Sequence, residues 1–246
     1  MIRHIRTVFW RDWIVLKRRL TRYILSRTVS PILYLIAFGW GIGRAIPMKQ
    51  GNYLDFIVPG IIALNSMIIS FNAVGPPLNM SRIYHKTLEE YLLAPISASS
   101  YIIGKILSGV LRGLISSVVI IILSLLFGTH LQMNIWFILA LVLNCAIFSA
   151  LGIVAALYMN SHEDMSNFNT YVLTPMSFLC ATFFLPSQLP FIMQKVIEIL
   201  PLTQASYALR QSSLTGELPG TAIIIMLVYL VVLICIGINK MNRLQE

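Results

Sequence analysis

The sequence predicts an all-α, polytopic membrane protein with six transmembrane helices and both termini in the cytoplasm. Two observations indicate this fold class. Of the 246 residues, 57% are apolar and only 11% are charged, whereas soluble domains average roughly 25% charged residues. The charges are also clustered, and they leave four uncharged stretches that each exceed the length of about 20 apolar residues needed to cross a bilayer: 56–81, 113–162, 165–194 and 218–239.

The same observations exclude a soluble enzyme, a nucleic-acid-binding domain and a disordered chain. A transmembrane barrel is disfavoured because barrel strands are short and alternate apolar with polar residues. The net charge of +9 could indicate nucleic-acid binding in a soluble protein. Here the basic residues flank the apolar runs, where they set membrane orientation. We therefore expect membrane lipids as partners, and no nucleic acid.

The first element, over residues 1–22, is predicted to be a basic amphipathic helix. Apolar residues recur at helical spacing and form one stripe, with the arginines largely off it: Ile5, Phe9, Trp13, Leu16 and Leu20. Such a helix lies flat in the membrane interface. Its tryptophans, Trp10 and Trp13, would then lie at headgroup level, with Arg6 and Arg11 near the lipid phosphates. The alternative is a helix packed against a cytoplasmic partner.

Six spans follow within a transmembrane domain of residues 23–246. They are predicted at 23–43, 56–78, 101–127, 135–158, 168–185 and 221–239. With the N-terminus inside, the inner segments hold thirteen Lys and Arg residues and the outer segments hold four. This bias favours cytoplasmic termini.

The inner segment 82–100 is too long for a tight turn and does not form a span. Thr87 followed by Glu90 fits a capping box, and Pro95 stops a helix, which predicts a short cytoplasmic helix over 88–94. This helix would present three leucines and two glutamates, a pattern that suggests a docking surface: Leu88, Glu89, Glu90, Leu92 and Leu93. Packing of the leucines onto the inner end of the bundle fits the spacing equally well.

The outer segment 186–220 contains two short helices, at 191–200 and 203–214. The first lies between Pro190 and Pro201 and is too short to cross the bilayer. The pair is interpreted as a re-entrant or interfacial hairpin, which membranes tolerate when it is buried in protein or faces a cavity. An ordinary extracellular loop is the alternative.

Ionisable residues at membrane depth would indicate catalysis or ion coupling. Arg112 is the one clear candidate, and the simpler interpretation is an arginine that snorkels or pairs with Glu89 or Glu90. No acidic residue lies well inside a span, which disfavours an intramembrane enzyme and an ion-coupled carrier. The chain has no His-Glu-x-x-His motif and no phosphate-binding loop. We therefore expect no catalytic residue, metal or cofactor on this chain and an external source of energy.

Four features resemble the membrane subunit of type-2 ABC exporters, in particular the group of nodulation-factor and daunorubicin-resistance permeases. The first is Trp10-Arg11-Asp12-Trp13, which precedes Ser30-Pro31-Ile32-Leu33-Tyr34 and a Gly-rich end of the first span. The second is the segment 87–97 followed by Gly104-Lys105. The third is the outer segment 184–190 with 200–203, which ends in Ala208-Leu209-Arg210. The fourth is the order of the six spans.

The resemblance implies a bacterial inner-membrane permease that pairs with a second copy as a homodimer and docks a cytoplasmic ATP-binding subunit. ATP and Mg would bind to that subunit, and the substrate would be an amphipathic, lipid-linked or glycan-like molecule moved outward. The coupling helix would supply the docking residues: Leu88, Glu89, Glu90, Leu92, Leu93 and Pro95. The outer motif would contain Pro186, Pro190, Pro201 and Arg210. Polar span residues could line a path or hold helices together: Asn65, Asn72, Asn144 and Ser149.

Overall fold

The computed structural model describes residues 2–37, 53–94, 96–129, 131–179 and 190–244, and the regular elements in these ranges are helical. A π-helical segment, Asn169–Leu173, joins the seventh and eighth helices. The helices are α1 (Ile2–Lys17), α2 (Leu20–Tyr34), α3 (Tyr53–Ile83), α4 (Thr87–Leu93), α5 (Ala98–Leu126), α6 (Ile135–Tyr158), α7 (His162–Phe168), α8 (Thr174–Leu179), α9 (Phe191–Ile199), α10 (Pro201–Leu214) and α11 (Gly220–Asn242).

Four of the six predicted spans are confirmed as helices long and apolar enough to cross a membrane, namely α3, α5, α6 and α11. Even α11, with 23 residues, exceeds the hydrocarbon thickness of about 30 Å at a rise of 1.5 Å per residue. The predicted spans 23–43 and 168–185 begin within α2 and α7 and run on into residues outside the described ranges. The total of six membrane spans and the cytoplasmic location of both termini therefore stay predictions.

The centre of the bundle is the contact between α3 and α6, where the two backbones approach closely. A Cβ on Gly152 would lie 2.9 Å from the carbonyl oxygen of Phe71, and a Cβ on Gly75 would lie 3.2 Å from the carbonyl oxygen of Gly152. Small residues permit this approach, which is how membrane helices gain packing energy without a hydrophobic driving force. The helices therefore leave no room for a side chain between them at this level.

Hydrogen bonds between buried polar residues join the same helices. Asn144 on α6 donates to the carbonyl oxygen of Ala63 at 2.9 Å and to Ser66 Oγ at 2.8 Å. Ser116 on α5 donates to Asn65 Oδ1 at 3.1 Å. These contacts favour the interpretation that the span asparagines hold helices together.

The inner ends of α3 and α6 are joined by an arginine. Arg82 donates from Nη1 to the carbonyl oxygen of Ala156 at 2.8 Å and from Nη2 to Asn160 Oδ1 at 3.1 Å. The last carbonyls of a helix have no partner within the helix, so Arg82 satisfies one of them. This contact fixes the end of α3 from which α4 continues.

The N-terminal helix is shorter than predicted and packs against the chain itself. It ends at Lys17, and α2 begins at Leu20, so the break lies five residues before the predicted end at residue 22. Its buried side faces α5, where a Cβ on Gly104 would lie 2.9 Å from Val8 Cβ. This contact ties α1 to the bundle whatever its position in the bilayer.

Candidate functional site

The seven-residue helix α4 begins one residue earlier than predicted. Lys86 occupies the N-cap position with φ of 52°, and no side chain caps the helix. The predicted capping box is therefore wrong, because Thr87 is the first helical residue rather than the cap. The Thr87 hydroxyl instead forms a hydrogen bond with the Ser81 hydroxyl at the end of α3. A left-handed conformation costs a non-glycine residue roughly 1–2 kcal/mol, and Lys86 adopts it where the chain turns sharply from α3 into α4.

The predicted docking residues of α4 divide between two sides of the helix. Leu88 is 2% exposed and belongs to the core of this chain, so its assignment to an exposed docking surface was wrong. Leu93 is 88% exposed, and Glu89 and Glu90 are exposed as well. The side chain of Leu92 and residue Pro95 lie outside the described residues.

Tyr91 connects α4 to the helices around it, a role that the sequence did not suggest. Arg11 Nη1 donates to the Tyr91 hydroxyl at 2.5 Å, and its guanidinium carbon lies 5.3 Å from the centre of the Tyr91 ring. The rings of Tyr91 and Tyr101 are 5.0 Å apart at their centroids. One side chain thus contacts both α1 and α5.

The interfacial residues predicted on α1 lie on different sides of that helix. Arg6 is exposed, and Trp10 is 55% exposed. Trp13 is partly buried, and Arg11 binds Tyr91 as described. The position of these residues relative to lipid headgroups stays a prediction.

An ion pair next to this junction was not predicted from the sequence either. Lys105 Nζ on α5 lies 2.8 and 3.0 Å from the two carboxylate oxygens of Asp12 on α1. Both side chains are partly buried. The sequence contains one indication of such a pair, because Asp12 is the single acidic residue before Asp55 in a segment rich in arginine and lysine.

A cavity of about 380 Å³ lies between α1, α3 and α5, above the first turn of α4. Its charged lining consists of Arg11, Asp12, Lys105 and Arg112. Arg112 lies seven residues after Lys105, which is about 10 Å further along α5. This pocket is hereafter called the inner cavity.

The Arg112 guanidinium makes one long hydrogen bond within the described residues. Its Nη1 lies 3.4 Å from the carbonyl oxygen of Ala73. The ion pairs found in the described ranges join Lys105 to Asp12 and Lys195 to Glu198, so the expected pairing of Arg112 with Glu89 or Glu90 is wrong. The guanidinium instead lines the inner cavity.

The outer segment forms the two expected helices, and they differ in burial. Pro190 directly precedes α9, and Pro201 is the first residue of α10, a position where the missing N–H costs nothing. The apolar side chains of α9 are mostly exposed, whereas α10 packs among α3, α6 and α11. Pro186 lies outside the described residues. Insertion of this pair into the membrane stays a prediction.

The charged residues of the outer segment lie in contrasting surroundings. Arg210 is 6% exposed, and its Nε donates to the carbonyl oxygen of Phe56 at 3.1 Å while its guanidinium carbon lies 3.8 Å from the Phe56 ring centre. Lys195 and Glu198 pair at 3.3 Å on the surface. Hydrogen bonds from Gln194 and Lys195 hold the pKa of Glu198 below its usual range. In the described ranges, no three His, Cys, Asp or Glu side chains are grouped to hold a metal ion.

Comparison with known proteins places this arrangement among transport permeases. A family model described as ABC-2 type transporter matches residues 3–214, a range that runs from the first turn of α1 to the end of α10. The inner membrane transport permease YadH of Escherichia coli (strain K12) is 30% identical over 204 residues, which cover 77% of this chain and 79% of that protein. Nodulation protein J of Rhizobium leguminosarum bv. viciae is 23% identical over 241 residues, which cover 96% and 93%. Nodulation protein J of Rhizobium meliloti (strain 1021) is 24% identical over 214 residues, which cover 86% and 81%.

Proposed function

Because the chain belongs to the ABC-2 type transporter family, we propose that it forms the membrane path of an ATP-driven exporter. The chain is a multi-pass permease subunit of the inner membrane. Membership of the family implies association with an ABC ATP-binding subunit. That subunit binds ATP and Mg, and the permease converts its motion into outward transport of an amphipathic, lipid-linked or glycan-like molecule.

The observation that carries the proposal is the two-sided burial of α4. Leu88 anchors the helix in the core, while Leu93 is 88% exposed at its far end. An isolated exposed leucine is ordinary. Here Leu93 lies on a short helix with Glu89 and Glu90, which are two negative charges among the mostly basic residues of the predicted cytoplasmic segments. A partner with an apolar cleft rimmed by basic groups fits this surface, and the charges set its register.

Contacts around α4 provide a route for force into the bundle. The Thr87 and Ser81 hydroxyls join it to α3, and Tyr91 joins it to Arg11 and Tyr101. A displacement of α4 by a nucleotide-driven partner therefore acts on α1, α3 and α5 together. This is the arrangement that a coupling helix requires.

The path lies between two permeases in this proposal. The close approach of Gly75 and Gly152 closes the centre of one chain, and the described span asparagines are used in contacts between helices. A homodimer supplies the second wall of the path. The family description and the name of the Escherichia coli relative support transport, and the choice of an amphipathic cargo rests on the family resemblance.

The coupling role is tested with purified complexes. A tagged permease is isolated from its native membranes, and the co-purifying ABC ATP-binding subunit is quantified with its ATPase activity. We expect Leu93→Asp to reduce both at least tenfold, because a charge would replace the docking side chain. Leu244→Asp is the matched control, since Leu244 is 38% exposed near the inner end of α11.

A second variant separates docking from folding. Leu88→Ala removes a buried side chain, which typically costs about 2–5 kcal/mol. This variant should therefore lower the unfolding temperature of the permease. Leu93→Asp should leave the unfolding temperature unchanged. Normal ATPase binding by folded Leu93→Asp permease would assign coupling to another segment.

The direction of transport and its energy source are tested by uptake into membrane vesicles. In inside-out vesicles, ATP should drive a fluorescent amphiphile into the lumen, and collapse of the ion gradients should leave the rate unchanged. Transport that stops when the gradients collapse, but continues without ATP, would favour an ion-coupled carrier instead.

A further inference from the structure

We infer that the inner cavity binds the anionic head group of an amphiphile that enters from the inner leaflet. The inference deepens the proposed function, on which it rests, by giving the transported molecule a phosphate- or carboxylate-bearing head. The charges of the cavity lining, the surroundings of Arg112 and the shape of the cavity support it.

The charge of the lining favours an anion. Three cationic side chains, Arg11, Lys105 and Arg112, face the cavity with one carboxylate, Asp12, which gives a formal charge of +2. The Asp12 carboxylate is engaged by Lys105 at 2.8 Å. Arg11 donates to the neutral Tyr91 hydroxyl. The single carboxylate thus serves Lys105 and the neighbouring Arg11, and the Arg112 guanidinium has no ion pair among the described residues.

Arg112 is the group that most clearly requires a ligand. It lies in the middle of α5, fourteen residues after the helix begins at Ala98, where an unpaired charge is costly in a membrane protein. Its described contact is the 3.4 Å approach to the carbonyl oxygen of Ala73, which is long for a hydrogen bond. A guanidinium binds phosphate or carboxylate through two parallel hydrogen bonds, so an anion in the cavity would satisfy it.

The shape of the cavity suits a head group with a chain attached. Its volume of about 380 Å³ lies within the usual range for small-ligand pockets. Apolar side chains form part of the wall, among them Val15, Val74, Pro77 and Leu78, and the remainder includes the polar side chains of Ser81, His85, Thr87 and Tyr101. A ligand with a charged end and an apolar continuation matches a lining that holds both charged and apolar groups, whereas a fully hydrated ion would leave the apolar side chains uncovered.

The test measures binding by the complete permease without its ATPase. The permease is placed in phosphatidylcholine nanodiscs and titrated with dihexanoyl phosphatidic acid, with dihexanoyl phosphatidylcholine and with inorganic phosphate. We expect the phosphatidic acid to bind at least tenfold more tightly than either of the others. Its affinity should fall as salt is added, because screening weakens the charge contacts.

Variants then locate the site. Arg112→Gln should weaken binding of phosphatidic acid at least tenfold, whereas Arg112→Lys, which keeps the charge, should weaken it less than threefold. Arg243→Gln is the matched control, because Arg243 is exposed at the end of α11 and should bind as the wild type does. Unfolding temperatures of all variants are measured alongside, and Arg11→Gln, which removes another cation of the same lining, should also weaken binding and keeps the test decisive if Arg112→Gln does not fold.

Three outcomes would overturn the inference. Equal affinity for phosphatidic acid and phosphatidylcholine would remove the anionic selectivity. Full affinity in folded Arg112→Gln permease would remove the site. Inorganic phosphate that binds as tightly as phosphatidic acid would indicate a free anion instead of an amphiphile. Co-purification of the ATP-binding subunit is measured separately, so failure of the proposed function and failure of this inference give different results.

Discussion

Lys105 of α5 and Asp12 of α1 form an ion pair of 2.8 Å that fastens the N-terminal helix to the transmembrane bundle. The pair is largely shielded, with 15% and 18% of the two side chains exposed. Lys105 Nζ also lies 5.8 Å from the centre of the Tyr101 ring. The Val8 contact with α5 lies one turn before Asp12, so apolar packing and charge hold the same side of α1 against the bundle.

Loss of the Asp12 carboxylate should loosen α1. Asp12→Asn leaves Lys105 partly buried without its counterion, which we expect to cost about 1–3 kcal/mol, less than the 3–5 kcal/mol typical of a fully buried pair. Thermal unfolding measures the cost. Limited trypsin digestion at Arg18 and Arg19, between α1 and α2, should become faster as α1 detaches.

The control for this prediction is the same Asp→Asn substitution at an acidic residue that forms no ion pair among the described residues. Asp164→Asn makes the same substitution at an exposed acid in the first turn of α7 and should change neither measurement. The exchange of Asp12→Lys with Lys105→Asp should recover part of the lost stability. Identical behaviour of Asp12→Asn and Asp164→Asn would show that the pair does not hold α1.

Gly152→Ala should separate α3 from α6. The added Cβ would lie 2.9 Å from the carbonyl oxygen of Phe71 and 3.2 Å from the backbone nitrogen of Gly75. These are backbone atoms of α3, which cannot rotate away as a side chain could. Overpacking of this kind typically costs about 1–3 kcal/mol. A lower unfolding temperature and a broader size-exclusion peak in detergent are the measurements. Gly220→Ala is the control, because no atom lies within 4 Å of the Cβ it would add. Equal unfolding temperatures for the two variants would contradict this packing.

Lys195 should lie on the outer side of the membrane. A Lys195→Cys variant should react with a membrane-impermeant maleimide in intact spheroplasts, since the side chain is 61% exposed on α9. Loss of its surface pair with Glu198 costs at most about 1 kcal/mol, so the fold should persist. Arg243→Cys is the control and should react only after permeabilisation. Labelling of Lys195→Cys from the cytoplasmic side alone would reverse the topology derived from the distribution of basic residues.

The sequence determined the elements whose cause is local. The spans α3, α5, α6 and α11 could be predicted because bilayer insertion depends on the apolar content of about 20 consecutive residues, which a linear pattern contains. The helix α9 could be predicted because Pro190 and Pro201 bound it, whereas α10 begins at Pro201, two residues before the predicted start at residue 203. The resemblance to a permease family also rests on consecutive residues, and the comparisons confirm it.

Tertiary structure decided which side chains of those elements act together. Helical spacing alone placed Leu88 and Leu93 on one docking surface, and only the packing of α4 against the bundle separates a buried anchor from an exposed contact. Arg11 binds Tyr91 across 80 positions, and Asp12 pairs with Lys105 across 93. Such pairs are set by how helices cross, which depends on the close approach of small residues rather than on any local pattern. The inner cavity and the position of Arg112 in it follow from the same crossings.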